Sequence, residues 1–398
     1  MFEISARCTL CDMRAWFLAL AVGGCGFSAT PAIVPGDAPG SEPDGDETSP
    51  PDAAIDSAPL DGTVASVCLG TFVKICVDPP QSTVTLMTQP LDTTTSTLCR
   101  PYTAVPHVDA CVVTGQSIVI PASNAVTATG SRRLVLFSTD AITIAGTLDA
   151  SSHGAVTGPA ADTGPCQGDF VDAQSGATGG GGWGGSFGGN GNNGGTGGGI
   201  GGGDGGRAAR SGDATAFTGG CPGGPGGGNG LADGGASGHG GGAVLLLAAH
   251  TLTISGTVNA SGGGGGGASS VSVGGGGGGS GGMIVIEAGT VDTPGRCFAN
   301  GGGGGEGAAL LAGRPGGESA APSSPGRGGT NGSIPGGDGG DGGASDPRNG
   351  SPGRNGDFAL PNSGGGGGGG GAAGVIKIVS EDQEDTDDPN KVSPLPTM

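Results

Sequence analysis

The chain has 398 residues, of which 98 are glycine and 28 proline, almost a third of the total, while aromatic residues make up only 3%. Such a composition points to low complexity rather than an ordinary globule, and collagen is excluded because residues 189–206, GNGNNGGTGGGIGGGDGG, break the every-third-glycine period. A formal net charge of −20 repels phosphate backbones and argues against nucleic acid as a partner.

Residues 1–25 read as a signal peptide. Arg14 precedes a short apolar run, residues 15–22, followed by small residues and Cys25. The run is too short to span a bilayer and has the layout of a secretory leader. Glu3 and Asp12 spoil a basic start before Met13, which makes Met13 a candidate translation start. Cys8 and Cys11 form a lone CxxC, weak as a zinc or redox signal because no second pair accompanies it. Residues 26–63 hold eight acids and no Lys or Arg, are rich in proline, and read as a disordered tether.

Residues 64–112 form a small cysteine-containing β segment. Cys68, Cys76, Cys99 and Cys111 are expected to pair among themselves, because a segment with so little core needs staples in an oxidising compartment. Their spacings do not match zinc ligand pairs. Cys166 and Cys221 are expected to close a glycine-rich loop, worth about 3–4 kcal/mol in the chain-entropy model.

Residues 113–380 carry an internal repeat. Residues 133–153, RLVLFSTDAITIAGTLDASSH, align without a gap to residues 243–263, AVLLLAAHTLTISGTVNASGG, at an offset of 110. A looser copy, MIVIEAGTVDTPGRCFANGGG, begins at Met283, and a half copy, GVIKIVS, at Gly374. Ile142, Ile144, Leu148 and Ala150 alternate with Thr143, Thr147 and Asp149, a period of two that marks half-buried strands. The shared Gly146 and Gly256 break or bulge the strand. Cys297 falls where Leu148 and Val258 fall, so it is expected to be core and unpaired. The fold class is therefore mostly β: repeated short strands, either β-solenoid-like or a β-sandwich of hairpins turning at Thr139-Asp140, Ala249-His250 and Ala288-Gly289.

Between the copies lie glycine arms, residues 154–242, 262–282 and 301–374. Glycine loses the most entropy on ordering, so the arms are either loose loops or polyglycine-II-like bundles of extended threefold chains. Trp183, Phe187 and Phe217 are candidates to pin such a bundle. Residues 381–398, with Glu381, Asp382, Glu384, Asp385, Asp387 and Asp388, read as an acidic disordered tail.

Catalytic and cofactor signals are weak. GxGxxG occurs repeatedly, but without the strand–helix setting that a nucleotide site requires, so no nucleotide and no cofactor is expected. GGDGGDGGASD, residues 336–346, lacks the apolar position of calcium-binding rolls, and no metal is expected. His107, His153, His239 and His250 show no HExxH or convergent pattern, and Asp140 and Asp149 become His250 and Asn259 in the next copy, so no acidic row persists.

Two resemblances add to these readings. Val22-Gly23-Gly24-Cys25 resembles a bacterial lipobox, which implies lipidation of Cys25 and cleavage before it; Gly26 rather than Asp after it implies the outer membrane. GGGAVLLLAAHTLTISGTVNASGGGG and the glycine-flanked MIVIEAG are similar to glycine-rich exported proteins of predatory and gliding soil bacteria. The composition alone is also like that of PE-PGRS proteins, without their N-terminal domain. The resulting expectation is a non-enzymatic, structural or adhesive cell-envelope protein, exported and lipid-anchored at the outer membrane or cell surface. Its partners would be the membrane through that anchor, and envelope or matrix polysaccharide or protein. The alternatives are a polysaccharide-processing β-solenoid enzyme and an ice- or mineral-binding surface.

Overall fold

In a computed structural model, the 110-residue offset of the sequence repeat is the register of parallel strand ladders: Leu134 faces Val244, Ile142 faces Leu252, and Leu148 faces Val258. The structure describes residues 66–104, 108–163, 166, 170–209, 215–331, 336–358, 363–384 and 386–397. The leader, Cys25, the tether and His107 lie outside the described residues.

β1 (Val67–Leu69) and β2 (Ile75–Val77) form an antiparallel hairpin. β3 (Val84–Thr85) and β4 (Gln89–Asp92) open a partial circuit, and β5 (Arg100–Ala104) folds back antiparallel on β6 (Val108–Gly115). Five full circuits follow, each laying one strand in each of three sheets. The first is β6, β7 (Ile118–Ile120) and β8 (Ala125–Thr129); the second is β9 (Arg133–Ser138), β10 (Ala141–Ile144) and β11 (Thr147–Asp149). The third is β12 (Ala243–Ala248), β13 (Thr251–Ile254) and β14 (Thr257–Asn259); the fourth is β15 (Met283–Glu287), β16 (Thr290–Asp292) and β17 (Arg296–Phe298). The last is β18 (Val375–Val379), β19 (Asp382–Glu384) and β20 (Val392–Ser393). The sheets run β5-β6-β9-β12-β15-β18, β3-β7-β10-β13-β16-β19 and β4-β8-β11-β14-β17-β20.

Two expectations are corrected. β9 and β10 are not a hairpin around Thr139-Asp140: they belong to different sheets and each pairs with the circuits before and after. Residues 381–384 and 386–397 of the expected tail are not disordered, since β19 and β20 close the second and third sheets and Val392 is buried on Cys297. The acids of this segment blunt an edge: β19 is the terminal strand of its sheet, and exposed Glu381, Asp382 and Glu384 discourage another chain from adding there.

The alternation read at residues 142–150 places Ile142, Ile144 and Leu148 inside, stacked on the equivalent positions of neighbouring circuits. The first sheet behaves differently. Val135, Phe137, Leu245, Leu247 and Val285 on its outer side are also buried, under the β1–β2 hairpin and under Phe187 and Phe217 from the first arm. A sheet covered on both faces needs continuous apolar strands, which is why β9, β12 and β15 read LVLF, AVLLLA and MIVI. Gly146, Gly256 and Gly295 stack at the corner between second and third sheets, where a Cβ on Gly256 would collide with the Gly146 carbonyl.

All three arms leave after a third-sheet strand (β11, β14, β17) and return into a first-sheet strand (β12, β15, β18), so they issue from one corner. They are ordered by backbone hydrogen bonds whose direction repeats every three residues. In the return leg 274–282, N–H groups of Gly274, Gly277 and Ser280 donate to Gly227, Gly224 and Cys221. Those of Gly275, Gly278 and Gly281 donate to Gly366, Gly369 and Ala372. Those of Gly276, Gly279 and Gly282 donate to Gly266, Gly263 and Ala260. Glycine density follows the number of neighbouring legs. Residues 364–371, enclosed on all sides, are pure glycine. Residues 336–344, GGDGGDGGA, exchange bonds with four neighbouring legs, donating to Gly326, Gly329 and the 364–371 leg and accepting from Gly304, Gly307, Ser351 and Arg354; their Asp338 and Asp341 carboxylates meet Arg354 at 3.4 Å and the Gly328 N–H at 2.7 Å. Residues 350–356, GSPGRNG, keep glycine only at 350, 353 and 356, where a Cβ would strike the carbonyls of Gly370, Gly367 and Gly364. In residues 219–228, Pro222 and Pro225 occupy positions between the donating residues, where a missing N–H costs nothing.

Candidate functional site

The cysteines tie peripheral chain to this frame. Cys68–Cys76 closes the β1–β2 hairpin, Cys99–Cys111 anchors the loop before β5 to β6, and Cys166–Cys221 joins two parts of the first arm. Cys297 is free and fully buried in the third-sheet ladder, and burial pushes its thiol up to about 12, which leaves it a packing group.

The densest polar cluster sits where the first arm leaves β11. His153 Nε2 lies 2.9 Å from Asp149 Oδ2 and 2.8 Å from Ser151 Oγ, and its Nδ1 lies 2.5 Å from Glu318 Oε2. The Ser151 hydroxyl donates to Asp149 Oδ1 at 2.5 Å and accepts from Asn259 Nδ2 at 3.1 Å. The Gly154 N–H donates to Glu318 Oε1 at 3.0 Å. On distances alone, Ser151, His153 and Glu318 imitate a nucleophile, base and acid in line.

The electrostatics argue against that role for this row. Hydrogen bonds to Asp149 and then to Glu318 push the His153 ring up to about 10, so it is an imidazolium at neutral pH with no lone pair to accept a serine proton. Burial opposes ionisation of Asp149, yet the bonds from His153 and Ser151 hold its carboxyl below the ordinary range. The His153 bond does the same for Glu318. Ser151 is itself buried. The cluster is a cation held between two carboxylates, and it clasps the root of the first arm to the third. Sequence reading found no convergent pattern at His153 and missed Glu318, which lies 165 positions away; no local pattern joins them.

A second pair stands nearby. His239 Nδ1 is 2.6 Å from Asp162 Oδ2, and Asp162 Oδ1 accepts the Gly240 N–H at 2.8 Å. Asp162 adopts a left-handed backbone (φ 60°) that aims it at this leg. Between the two pairs opens a cleft of about 540 Å³, with Ala155, Ala236, Ser237, His239, Pro315 and Glu318 among its walls. His239 and Glu318 on its walls are already engaged with Asp162 and His153, and no Phe, Tyr or Trp lines it. His250 and Asp140 pair loosely at 3.5 Å on the exposed surface. Among the described residues, no group of three His, Cys, Asp or Glu side chains is placed to hold a metal ion.

Glu287, buried beneath the β1–β2 hairpin, accepts the N–H of Thr71 at 2.6 Å, the Thr71 hydroxyl at 2.8 Å and the N–H of Phe72 at 3.0 Å. Lys377 lies 4.9 Å over the Phe72 ring. These contacts seat the hairpin on the first sheet. Of the expected pins, Phe187 and Phe217 pack against that same sheet, while Trp183 stacks on Phe170 at 4.7 Å and donates to Asp172 at 3.3 Å. No family model, curated protein or solved structure matches this chain.

Proposed function

We propose that this chain is a non-enzymatic exported surface protein in which a β-solenoid core carries a polyglycine-II-like bundle as a rigid spacer, with a structural or adhesive role at the cell envelope. The observation that carries the reading is the three-way hydrogen bonding of the return leg 274–282. A bundle so bonded spends its backbone groups on itself and presents few side chains for chemistry. At about 3.1 Å per residue, nine residues hold the outer turns about 28 Å from the corner of the coil.

Export is supported by the lipobox-like end at Cys25 and by three disulfides, which persist in oxidising compartments. In this reading the lipid on Cys25 anchors the chain at the outer membrane, residues 26–63 tether the folded part, and the partners are envelope or matrix polysaccharide or protein. Cys25→Ser should move the protein from the detergent-extracted membrane fraction to the soluble one. Unchanged fractionation would overturn the anchor.

A further inference from the structure

Turns in a soluble protein ordinarily carry Gly, Asn, Asp, Ser or Pro. The outer turns of the arms depart from this. Ile200 is 96% exposed, Leu231 96%, Leu311 63%, Leu310 62% and Phe358 62%, and Val271 stands exposed beside them. Among the described residues Ile200, Leu231, Leu311, Leu310 and Phe358 are the most exposed large apolar side chains; none lies on the coil.

The turns share one end of the bundle. Asn229 Nδ2 donates to the Val271 carbonyl at 2.8 Å, Ser272 Oγ to the Ser363 carbonyl at 2.8 Å, and the Ala308 N–H to the Val273 carbonyl at 3.0 Å. The Gly198 N–H donates to Gly364 at 2.8 Å, which links the Ile200 turn to the leg that follows Phe358. Ala232, Ala268, Val273 and Ala308 form a small apolar knot beneath them. Apolar groups held on a bonded frame lose little freedom on binding, which favours recognition over casual stickiness.

Charge selects among occupants. Asp204, Asp233 and Asp357 are exposed within four residues of these turns, against two cations, Arg314 and Arg354, the second of which is already paired with Asp338 at 3.4 Å. Two copies meeting tip to tip would bring like charges together, and an anionic lipid surface would repel both the rim and a chain of net charge −20. We propose that the outer turns are a docking surface for a protein segment with an apolar stripe flanked by Lys or Arg. This deepens the adhesive reading above and rests on it.

The test uses the soluble Cys25→Ser chain and a synthetic amphipathic Leu/Lys helix of fourteen residues, with a scrambled peptide of equal composition and a Leu/Glu counterpart as references. Calorimetry at about 0.5 M salt screens diffuse attraction. The Leu/Lys helix should bind at least tenfold tighter than either reference. Ile200→Ser with Leu231→Ser, Leu311→Ser and Phe358→Ser should lose at least tenfold, while Met87→Ser with Leu395→Ser, exposed apolar sites on other parts of the chain, should lose nothing. Asp204→Asn with Asp233→Asn and Asp357→Asn, which leaves the apolar turns intact, should weaken binding about threefold at lower salt. Equal binding by the four-serine variant sinks the proposal. So does preference for the Leu/Glu peptide, a dimer that disappears in that variant, or binding to phosphatidylcholine–phosphatidylglycerol vesicles that disappears with it. Fractionation of the Cys25 variant reads the envelope assignment separately, so either conclusion can fail alone.

Discussion

Leu148 and Gly277 are both fully enclosed, for opposite reasons. Leu148 is held by its side chain, stacked on Val126 and Val258 in the adjoining circuits. Gly277 is held because it has none: its N–H reaches Gly224, and a Cβ would strike the Trp183 carbonyl. The coil accepts any apolar group of suitable volume at its inward positions. The bundle accepts any residue at an outward position and almost no atom at an inward one. Ordering each backbone costs roughly 1–2 kcal/mol, and a net hydrogen bond returns only about 1 kcal/mol. Legs without side chains therefore depend on attachments: Phe187 and Phe217 on the first sheet, the Cys166–Cys221 bond, and the His153 clamp.

That dependence predicts an asymmetry. Leu246→Ala, in the coil, should cost about 3 kcal/mol, and bundle amides should lose exchange protection in the same thermal step as coil amides. A bundle that outlasts the coil would show it to be self-sufficient. Gly368→Ala should cost about 1–3 kcal/mol, because a Cβ there meets the Gly276 backbone, and the loss of protection should stay within the arms. Ser351→Ala, at an outward position of an edge leg, should stay within about 0.5 kcal/mol; an equal effect at both sites would refute the inward–outward rule.

A pH-dependent effect concerns the clamp. His153 has a folded pKa above its unfolded value near 6.5, so its contribution is complete below about 6.5 and lost as pH rises through about 10. Asp149 and Glu318 are held below their ordinary values, so theirs is present above the ordinary carboxylate range and lost as pH falls through it. The clamp is strongest between about pH 5 and 6.5. With the His153 side chain 43% exposed, solvent screening limits it to under about 1 kcal/mol. His153→Gln should flatten melting temperature against pH on both flanks of that window.

Much of the coil was legible in the sequence. Aligning residues 133–153 with 243–263 states a register, because parallel stacking places like residues over like, and Cys297 fell into its ladder by the same alignment. The hairpin reading at Thr139-Asp140 failed because alternation reports which face is buried and not which strand is the neighbour. The acidic tail misled because exposed charges mark a protected edge as well as a disordered chain. The clamp was invisible, since Asp149 and Glu318 meet only after two circuits and the intervening arms.

Local chemistry alone determined the strands, the stacked glycines at the coil corner, and the inability of the arms to build a side-chain core. Those follow from the volume and branching of each residue and its neighbours in the chain. The number of legs around each glycine, the partners of His153 and the gathering of Ile200, Leu231, Leu311 and Phe358 at one end were decided by tertiary packing. A backbone hydrogen bond carries no mark of its partner until the legs are brought side by side.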